Sequence, residues 1–109
     1  MIRLTVVAFV LLAASVGIAR AQQITNAHGT SSLDVPQLFA TTCGWCHSEG
    51  GRVAGKGPQL MNTERSDDFI RNRIKQGKQG AMPAFGSIYS DADIDAIIAY
   101  IRALKPENG

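Results

Sequence analysis

The chain has 109 residues, with 11 Lys and Arg against 9 Asp and Glu, and a formal charge of +2. Arg3 and Arg20 lie within the first 21 residues, so the 88 residues that follow contain nine basic and nine acidic side chains. A balanced segment of this length gives no charge-based reason to expect binding to nucleic acid or to an anionic membrane. It is long enough for one small domain.

The N-terminus has the pattern of a secretory signal peptide. Arg3 is followed by an apolar stretch from Leu4 to Ile18, and small residues precede a cleavage site expected after Ala21. An uncleaved membrane anchor is the alternative, but the apolar stretch is shorter than the roughly 18 residues that a spanning helix requires. We therefore predict that residues 1–21 are a signal peptide and that the protein works in a bacterial periplasm.

The next two segments are a predicted tail and a first helix. Residues 22–33 are polar and have no apolar period, which predicts a flexible N-terminal tail. A helix is predicted over residues 34–46, with Asp34 as its N-cap and Pro36 in its first turn. The folded domain is expected to extend from this helix to the end of the last one, over residues 34–106.

A second helix is predicted between Ser66, as its N-cap, and Gly77, which ends it. Residues 49–65 before it and 78–86 after it are rich in Gly and contain Pro, and both are predicted loops. The apolar face of this helix is predicted to consist of Phe69, Ile70 and Ile74.

A third helix is predicted to begin at Ser90, with Asp93 placed to complete a capping box, and Pro106 lies beyond its end. Apolar residues repeat along it at helical spacing, at Ile94, Ile97, Ile98, Ile101 and Leu104. Nothing in the chain has the alternation of a strand, so the predicted fold class is all-α.

The segment CGWCH, residues 43–47, is the motif that carries chemistry. A dithiol would be expected inside a βαβ pattern, and a Cys43–Cys46 disulfide would close only a very small loop. Zinc needs about four ligands, and the chain offers two cysteines, His47 and a distant His28. Spacing of the type C-x-x-C-H is the signal for covalent attachment of a c-type haem, and it uses all three residues of the motif.

The chain resembles the small class I cytochromes c. The resemblance covers residues 34–105 and rests on CGWCH, on GPQL at 57–60, on MPAF at 82–85 and on the closing helix. It implies a cytochrome c-like helical bundle wrapped around one covalently bound haem c, with the first and last helices crossing. Phe39 and Tyr100 match the aromatic positions at that crossing.

Met82 is the predicted sixth ligand of the iron. It lies in an irregular loop, and Pro83 stiffens the chain next to it. The resemblance makes the methionine of MPAF the distal ligand opposite His47, while Met61 and His28 remain alternatives. A thioether favours ferrous iron and closes the sixth position, which favours electron transfer over catalysis.

Pro58 is the predicted partner of the ligating histidine. A metal-bound imidazole normally donates its other N–H to a carbonyl or carboxylate, which fixes the orientation of the ring. The resemblance assigns this acceptor role to the carbonyl of Pro58, with an ordinary turn proline as the alternative.

Charged residues are distributed unevenly enough to suggest a docking surface for redox partners, although a solvated face is the simpler alternative. Basic side chains follow the haem motif and the second helix, at Arg52, Lys56, Arg71, Arg73, Lys75 and Lys78. Acidic side chains gather at the start of the last helix, at Asp91, Asp93 and Asp95.

Together these features predict a monomeric periplasmic carrier of one electron, not an enzyme. Its expected donor is a dehydrogenase, with quinoproteins as one class, and its expected acceptor is a terminal oxidase or another carrier. No nucleic acid and no stable membrane insertion are expected after signal cleavage. The alternatives are a haem enzyme or ligand sensor with an open iron site, and a fixed electron-transfer subunit of a larger enzyme.

Overall fold

The computed structural model describes residues 30–107, so the predicted signal peptide and His28 lie outside the described part of the chain. Within residues 30–107 there are four α-helices, one 3-10 turn at Cys43–Trp45 and no strand. The helices are α1 (Val35–Ala40), α2 (Ser48–Gly51), α3 (Asp67–Gln76) and α4 (Asp91–Ala103). The predicted all-α fold is confirmed.

The first helix is shorter than the 34–46 expected from the sequence. Asp34 caps it as predicted, with a side-chain oxygen that accepts from the backbone N–H of Gln37 at 3.0 Å. The helix ends at Thr41, whose backbone leaves helical geometry and whose hydroxyl donates to the carbonyl of Gln37 at 2.9 Å. Such a side-chain bond to the backbone competes with helix continuation. The haem motif therefore begins in a separate 3-10 turn.

The cap predicted for α3 is confirmed, because the hydroxyl of Ser66 accepts from the N–H of Phe69 at 3.2 Å and Gly77 ends the helix. Ile70 and Ile74 are buried as expected, but the placement of Phe69 on the apolar face was wrong. Phe69 is 38% exposed, since it precedes Ile70 and adjacent positions in a helix are turned by about 100° from each other.

Both the start and the apolar face predicted for α4 are confirmed. Ser90 and Asp93 form a reciprocal capping box. The buried residues of this helix and its C-cap are Ile94, Ile97, Ile98, Ile101 and Leu104. Because these side chains recur every three or four residues, they form one continuous stripe, and its four isoleucines belong to the same core cluster as residues of α1 and α3.

The packed part of the domain begins before residue 34. The hydroxyl of Ser31 donates to the carboxylate of Asp93 at 2.7 Å, and Leu33 packs against the core. Ser31 and Leu33, which belong to the predicted tail, therefore contact the domain. Within residues 30–107, none of the helices is long and apolar enough to cross a membrane.

Candidate haem-binding site

His47 is the most deeply buried polar side chain among the described residues, with 9% of its surface exposed. Its Nδ1 lies 2.8 Å from the carbonyl oxygen of Pro58. A carbonyl oxygen can only accept, so Nδ1 carries the proton and donates it. In a neutral imidazole the other nitrogen, Nε2, then keeps its lone pair. The structure thus presents His47 in the tautomer that a metal-ligating histidine requires.

The loop after the motif folds back and lies against the imidazole. The N–H of Gly57 donates to the carbonyl of Cys46 at 2.9 Å, and the N–H of Leu60 donates to the carbonyl of Gly51 at 2.9 Å. A Cβ added at Gly57 would come within 2.6 Å of Cε1 of His47. The absence of a side chain at Gly57 therefore lets the backbone approach the ring closely enough for Pro58 to accept its hydrogen bond.

Cys43 and Cys46 both have free thiols and are half-buried. The carbonyl of Cys43 accepts from the N–H groups of Cys46 and His47, at 3.2 and 2.9 Å, so one tight turn contains all three residues. Burial raises the pKa of the Cys43 thiol to about 11.

A zinc site gains no support from the described residues. Among residues 30–107, no three His, Cys, Asp or Glu side chains come together in a group that could hold a metal ion. The donors near the motif are instead two thiols and one imidazole nitrogen, which is the set that covalent haem attachment uses.

Met82 lies in the loop after α3, where it is half-buried and packs against the core. The N–H of Lys78 donates to the carbonyl of Met82, and the N–H of Met82 donates to the carbonyl of Lys78, both at 2.8 Å. Met61 is half-buried in the loop that carries Pro58, and its N–H donates to the carbonyl of Gly51 at 3.0 Å. The chain therefore provides one methionine on each of the two loops.

Half of the predicted basic surface is involved in ion pairs. Arg71 contacts Asp68 at 2.8 Å and Asp95 at 2.7 Å, and Lys75 contacts Asp91. Arg52 also has a partner, since it lies 3.4 Å from Glu107. Two of these three cations lie on α3, and their partners Asp95 and Asp91 lie on α4. They therefore join two helices instead of presenting unpaired charge to solvent.

Two glycines that the sequence reasoning did not single out as site residues contact the site segments. The sequence pattern shows Gly57 only as part of GPQL, and Gly77 only as the end of the second predicted helix. The sequence indicated these glycines only by their neighbours, since Gly57 precedes Pro58 and Gly77 precedes the predicted loop 78–86. The sequence alone did not show what each glycine lies against.

The all-α fold and the C-x-x-C-H turn around a buried histidine define a monohaem c-type cytochrome of class I. The donors fit a covalent haem c: two free thiols, an imidazole with Nε2 free for a metal and a loop thioether. A family model described as cytochrome c oxidase, cbb3-type, subunit III, matches residues 33–101. The chain belongs to this family.

Individual relatives agree with this assignment. A cytochrome c6 from Gracilaria tenuistipitata var. liui is 35% identical over 79 residues, covering 67% of this chain and 71% of the relative. The cbb3-type cytochrome c oxidase subunit FixP from Azorhizobium caulinodans is 37% identical over 83 residues, covering 62% of this chain and 27% of FixP. The solved c-type cytochrome NirC superposes with a TM-score of 0.55, covering 62% of this chain and 82% of NirC. At 20% identity, that likeness concerns the fold alone. The chain is a small c-type cytochrome electron carrier.

Proposed function

We propose that this cytochrome carries one electron at a time on a single haem c, bound through Cys43 and Cys46 and ligated by His47 and Met82. The observation that carries the proposal is the 2.8 Å hydrogen bond between Nδ1 of His47 and the carbonyl of Pro58. That bond fixes both the tautomer and the orientation of the ring, and it leaves Nε2 as the free donor.

Each residue has a separate task in this proposal. Cys43 and Cys46 hold the porphyrin as thioethers, while Pro58 orients His47 and increases its basicity as a ligand. When bound, the haem supplies a one-electron iron couple. Met82 contributes a soft thioether that favours the ferrous state and so raises the potential. Bound to the haem iron, the Met82 thioether would also leave oxygen and peroxide without a place to coordinate.

We further propose that the protein works in the periplasm after residues 1–21 are removed. There, as a monomer, it accepts an electron from a dehydrogenase, with quinoproteins as one donor class, and passes it to a terminal oxidase or another carrier. The proposed periplasmic location is motivated by the N-terminus, where a basic residue is followed by an apolar stretch and then by small residues. Isolating the protein from a periplasmic extract and measuring its mass tests this directly. A chain that begins at Met1 would contradict cleavage.

The same mass measurement tests attachment. The expected product carries the mass of one haem, and after complete unfolding neither cysteine reacts with a thiol reagent, because both sulfurs are consumed as thioethers. A haem-free chain with a disulfide between Cys43 and Cys46 would overturn the proposal.

Replacement of Met82 by Ala tests the sixth ligand. The variant should have a lower midpoint potential, and its ferrous form should bind carbon monoxide, because the thioether no longer closes the iron. Met61→Ala is the matched control, since it removes a half-buried methionine from the other loop. Ready binding of carbon monoxide by the unmodified protein would favour the open-site enzyme or sensor alternative. A larger fall in potential for Met61→Ala would reassign the ligand.

A fixed subunit of a larger oxidase is a second candidate, because the matching family is described by an oxidase subunit. The two functions differ in the size of the native assembly. A diffusing carrier should elute from a native periplasmic extract at the size of the single chain. A fixed subunit should elute with other subunits and separate from them only after denaturation.

A further inference from the structure

The loop that contains Met82 is attached to the C-terminal end of α3 by backbone hydrogen bonds. The N–H of Phe85 donates to the carbonyl of Ile74 at 2.9 Å, and the N–H of Gly86 donates to the carbonyl of Lys75 at 3.1 Å. These carbonyls belong to the last turn of the helix, where acceptors have no partner within the helix itself. The end of α3 therefore fixes the chain a few residues after Met82.

The start of the same loop is closed by the reciprocal pair of 2.8 Å bonds between Lys78 and Met82. Gly77 precedes this pair and is the C-cap of α3. Its φ of +66° and ψ of −164° lie in a region that only glycine adopts readily. Met82 is thus held between two attachments to α3, and Gly77 lies where the chain leaves the helix.

Gly77 also touches the loop it precedes. A Cβ at this position would lie 2.7 Å from the backbone nitrogen of Ala84 and 2.7 Å from the carbonyl carbon of Pro83. It would lie closer still to the carbonyl oxygen of Met82. All three neighbours are backbone atoms, so no side-chain rotation can relieve the overlap. Any side chain at residue 77 must push the segment 82–84 away from α3.

We propose that Gly77 is the positioning residue for Met82. It does not ligate the iron, but its missing side chain lets the backbone of residues 82–84 pack directly on the end of α3. The position from which Met82 presents its thioether is therefore set by a contact with a helix cap. This inference rests on the proposed ligation by Met82, and it makes closure of the sixth position depend on residue 77.

Three glycine-to-alanine variants separate this contact from general backbone strain. Gly77→Ala introduces both a side chain at positive φ and a clash with the loop. Gly80→Ala introduces a side chain at positive φ but no clash, because Gly80 has a φ of +74° and no heavy atom within 4 Å of its added Cβ. Gly86→Ala introduces contact without a left-handed backbone, since its Cβ would lie 3.0 Å from the carbonyl oxygen of Lys75.

The readouts are made on the purified haem-containing protein. They are the weak far-red absorption of ferric haem with a thioether ligand, carbon monoxide binding by the ferrous form, and the midpoint potential. Thermal unfolding is recorded in parallel. We expect Gly77→Ala to lose the far-red band, bind carbon monoxide and have a lower potential. Gly86→Ala should lose part of the band, and Gly80→Ala should keep it even where its thermal stability falls.

Retention of the band and potential in Gly77→Ala would overturn the inference. So would a larger loss of the band in Gly80→Ala than in Gly86→Ala, because the effect would then follow strain instead of contact. If Gly77→Ala yields no haem-containing protein, the order of the other two variants decides the question. Met82→Ala distinguishes failure of the proposed ligation from failure of the positioning role. No spectral change in Met82→Ala would overturn the ligation by Met82. A spectral change in Met82→Ala without one in Gly77→Ala would overturn only the positioning role of Gly77.

Discussion

Phe39 in α1 and Tyr100 in α4 stack with their ring centroids 4.5 Å apart and their planes inclined by 25°. The hydroxyl of Tyr100 also donates to the carbonyl of Gly50 in α2 at 3.0 Å. One aromatic pair therefore joins the first and last helices, and a single hydroxyl extends the connection to the turn that follows His47. The packing role predicted for this pair is the one it has in the structure.

Tyr100→Phe should lower the free energy of unfolding by about 1 kcal/mol, because it removes one partly buried hydrogen bond. Phe39→Leu should cost about 1–3 kcal/mol, since it removes the stack and leaves unfilled volume. Urea denaturation of the haem-containing protein measures both changes. Tyr89→Phe is the control, because no hydrogen bond from the Tyr89 hydroxyl occurs within residues 30–107. A cost for that control equal to that of Tyr100→Phe would contradict the assignment.

Gly57 and Pro58 should respond differently to substitution. Gly57→Ala places a methyl group against the imidazole of His47 and should destabilise the domain by about 1–3 kcal/mol while changing the haem spectrum. Pro58→Ala retains the backbone carbonyl that accepts from His47, so its spectrum and midpoint potential should change little. A spectral change in Pro58→Ala as large as that in Gly57→Ala would show that the proline ring, and not the carbonyl, positions the histidine.

Asp93 should contribute to acid sensitivity. Its pKa is lowered chiefly by the hydrogen bond from the hydroxyl of Ser31, and further by bonds from the hydroxyl and backbone N–H of Ser90. A folded-state pKa below the unfolded one gives stabilisation that is present above the unfolded value and is lost as the pH falls through the folded value. The melting temperature should therefore fall on acidification below about pH 3.8.

Melting temperatures are recorded from neutral pH downwards. Asp93→Asn should reduce the fall in melting temperature at acidic pH, and Ser31→Ala should reduce it in part. If the melting temperature of Asp93→Asn falls on acidification as much as that of the unmodified protein, other carboxylates cause the acid sensitivity.

Two N-terminal truncations should separate the tail from the domain. Removing residues 22–29 should leave both the haem spectrum and the melting temperature unchanged, because His28 is not expected to ligate the iron. Removing residues 22–33 should also leave the spectrum unchanged but should lower the melting temperature, since the Ser31–Asp93 bond and the packing of Leu33 are lost. An altered spectrum in the shorter truncation would make His28 a ligand candidate.

The sequence by itself determined the features that depend on a few neighbouring residues. Ser66 marks the beginning of α3 and Gly77 its end, and Ser90 with Asp93 marks the beginning of α4, because capping bonds form within one turn of the chain. The C-x-x-C-H motif is equally local. The repeating apolar positions of α4 predicted the buried stripe because a helix has a fixed period.

Two other local features were predicted wrongly, because the apolar pattern does not show how neighbouring polar and charged groups contact each other. Phe69 lies toward solvent beside the apolar face of α3, with the guanidinium groups of Arg65 and Arg73 4.7 and 5.1 Å from the centre of its ring. The end of α1 was also misplaced, because the helical pattern over residues 34–46 did not include the bond by which Thr41 ends it.

The site itself shows the same division. Residue types, spacing and the family resemblance lead to a proposed set of donors, whereas the arrangement of these donors could not be predicted from the sequence. Pro58 meets His47 across 11 residues because Gly57 lets the backbone approach the ring, and Met82 packs where Gly77 leaves room beside α3. Both arrangements depend on the close fit of one backbone segment against another. The three-dimensional path of the chain decides that fit, since spacing along the sequence does not specify which atoms will share the same space.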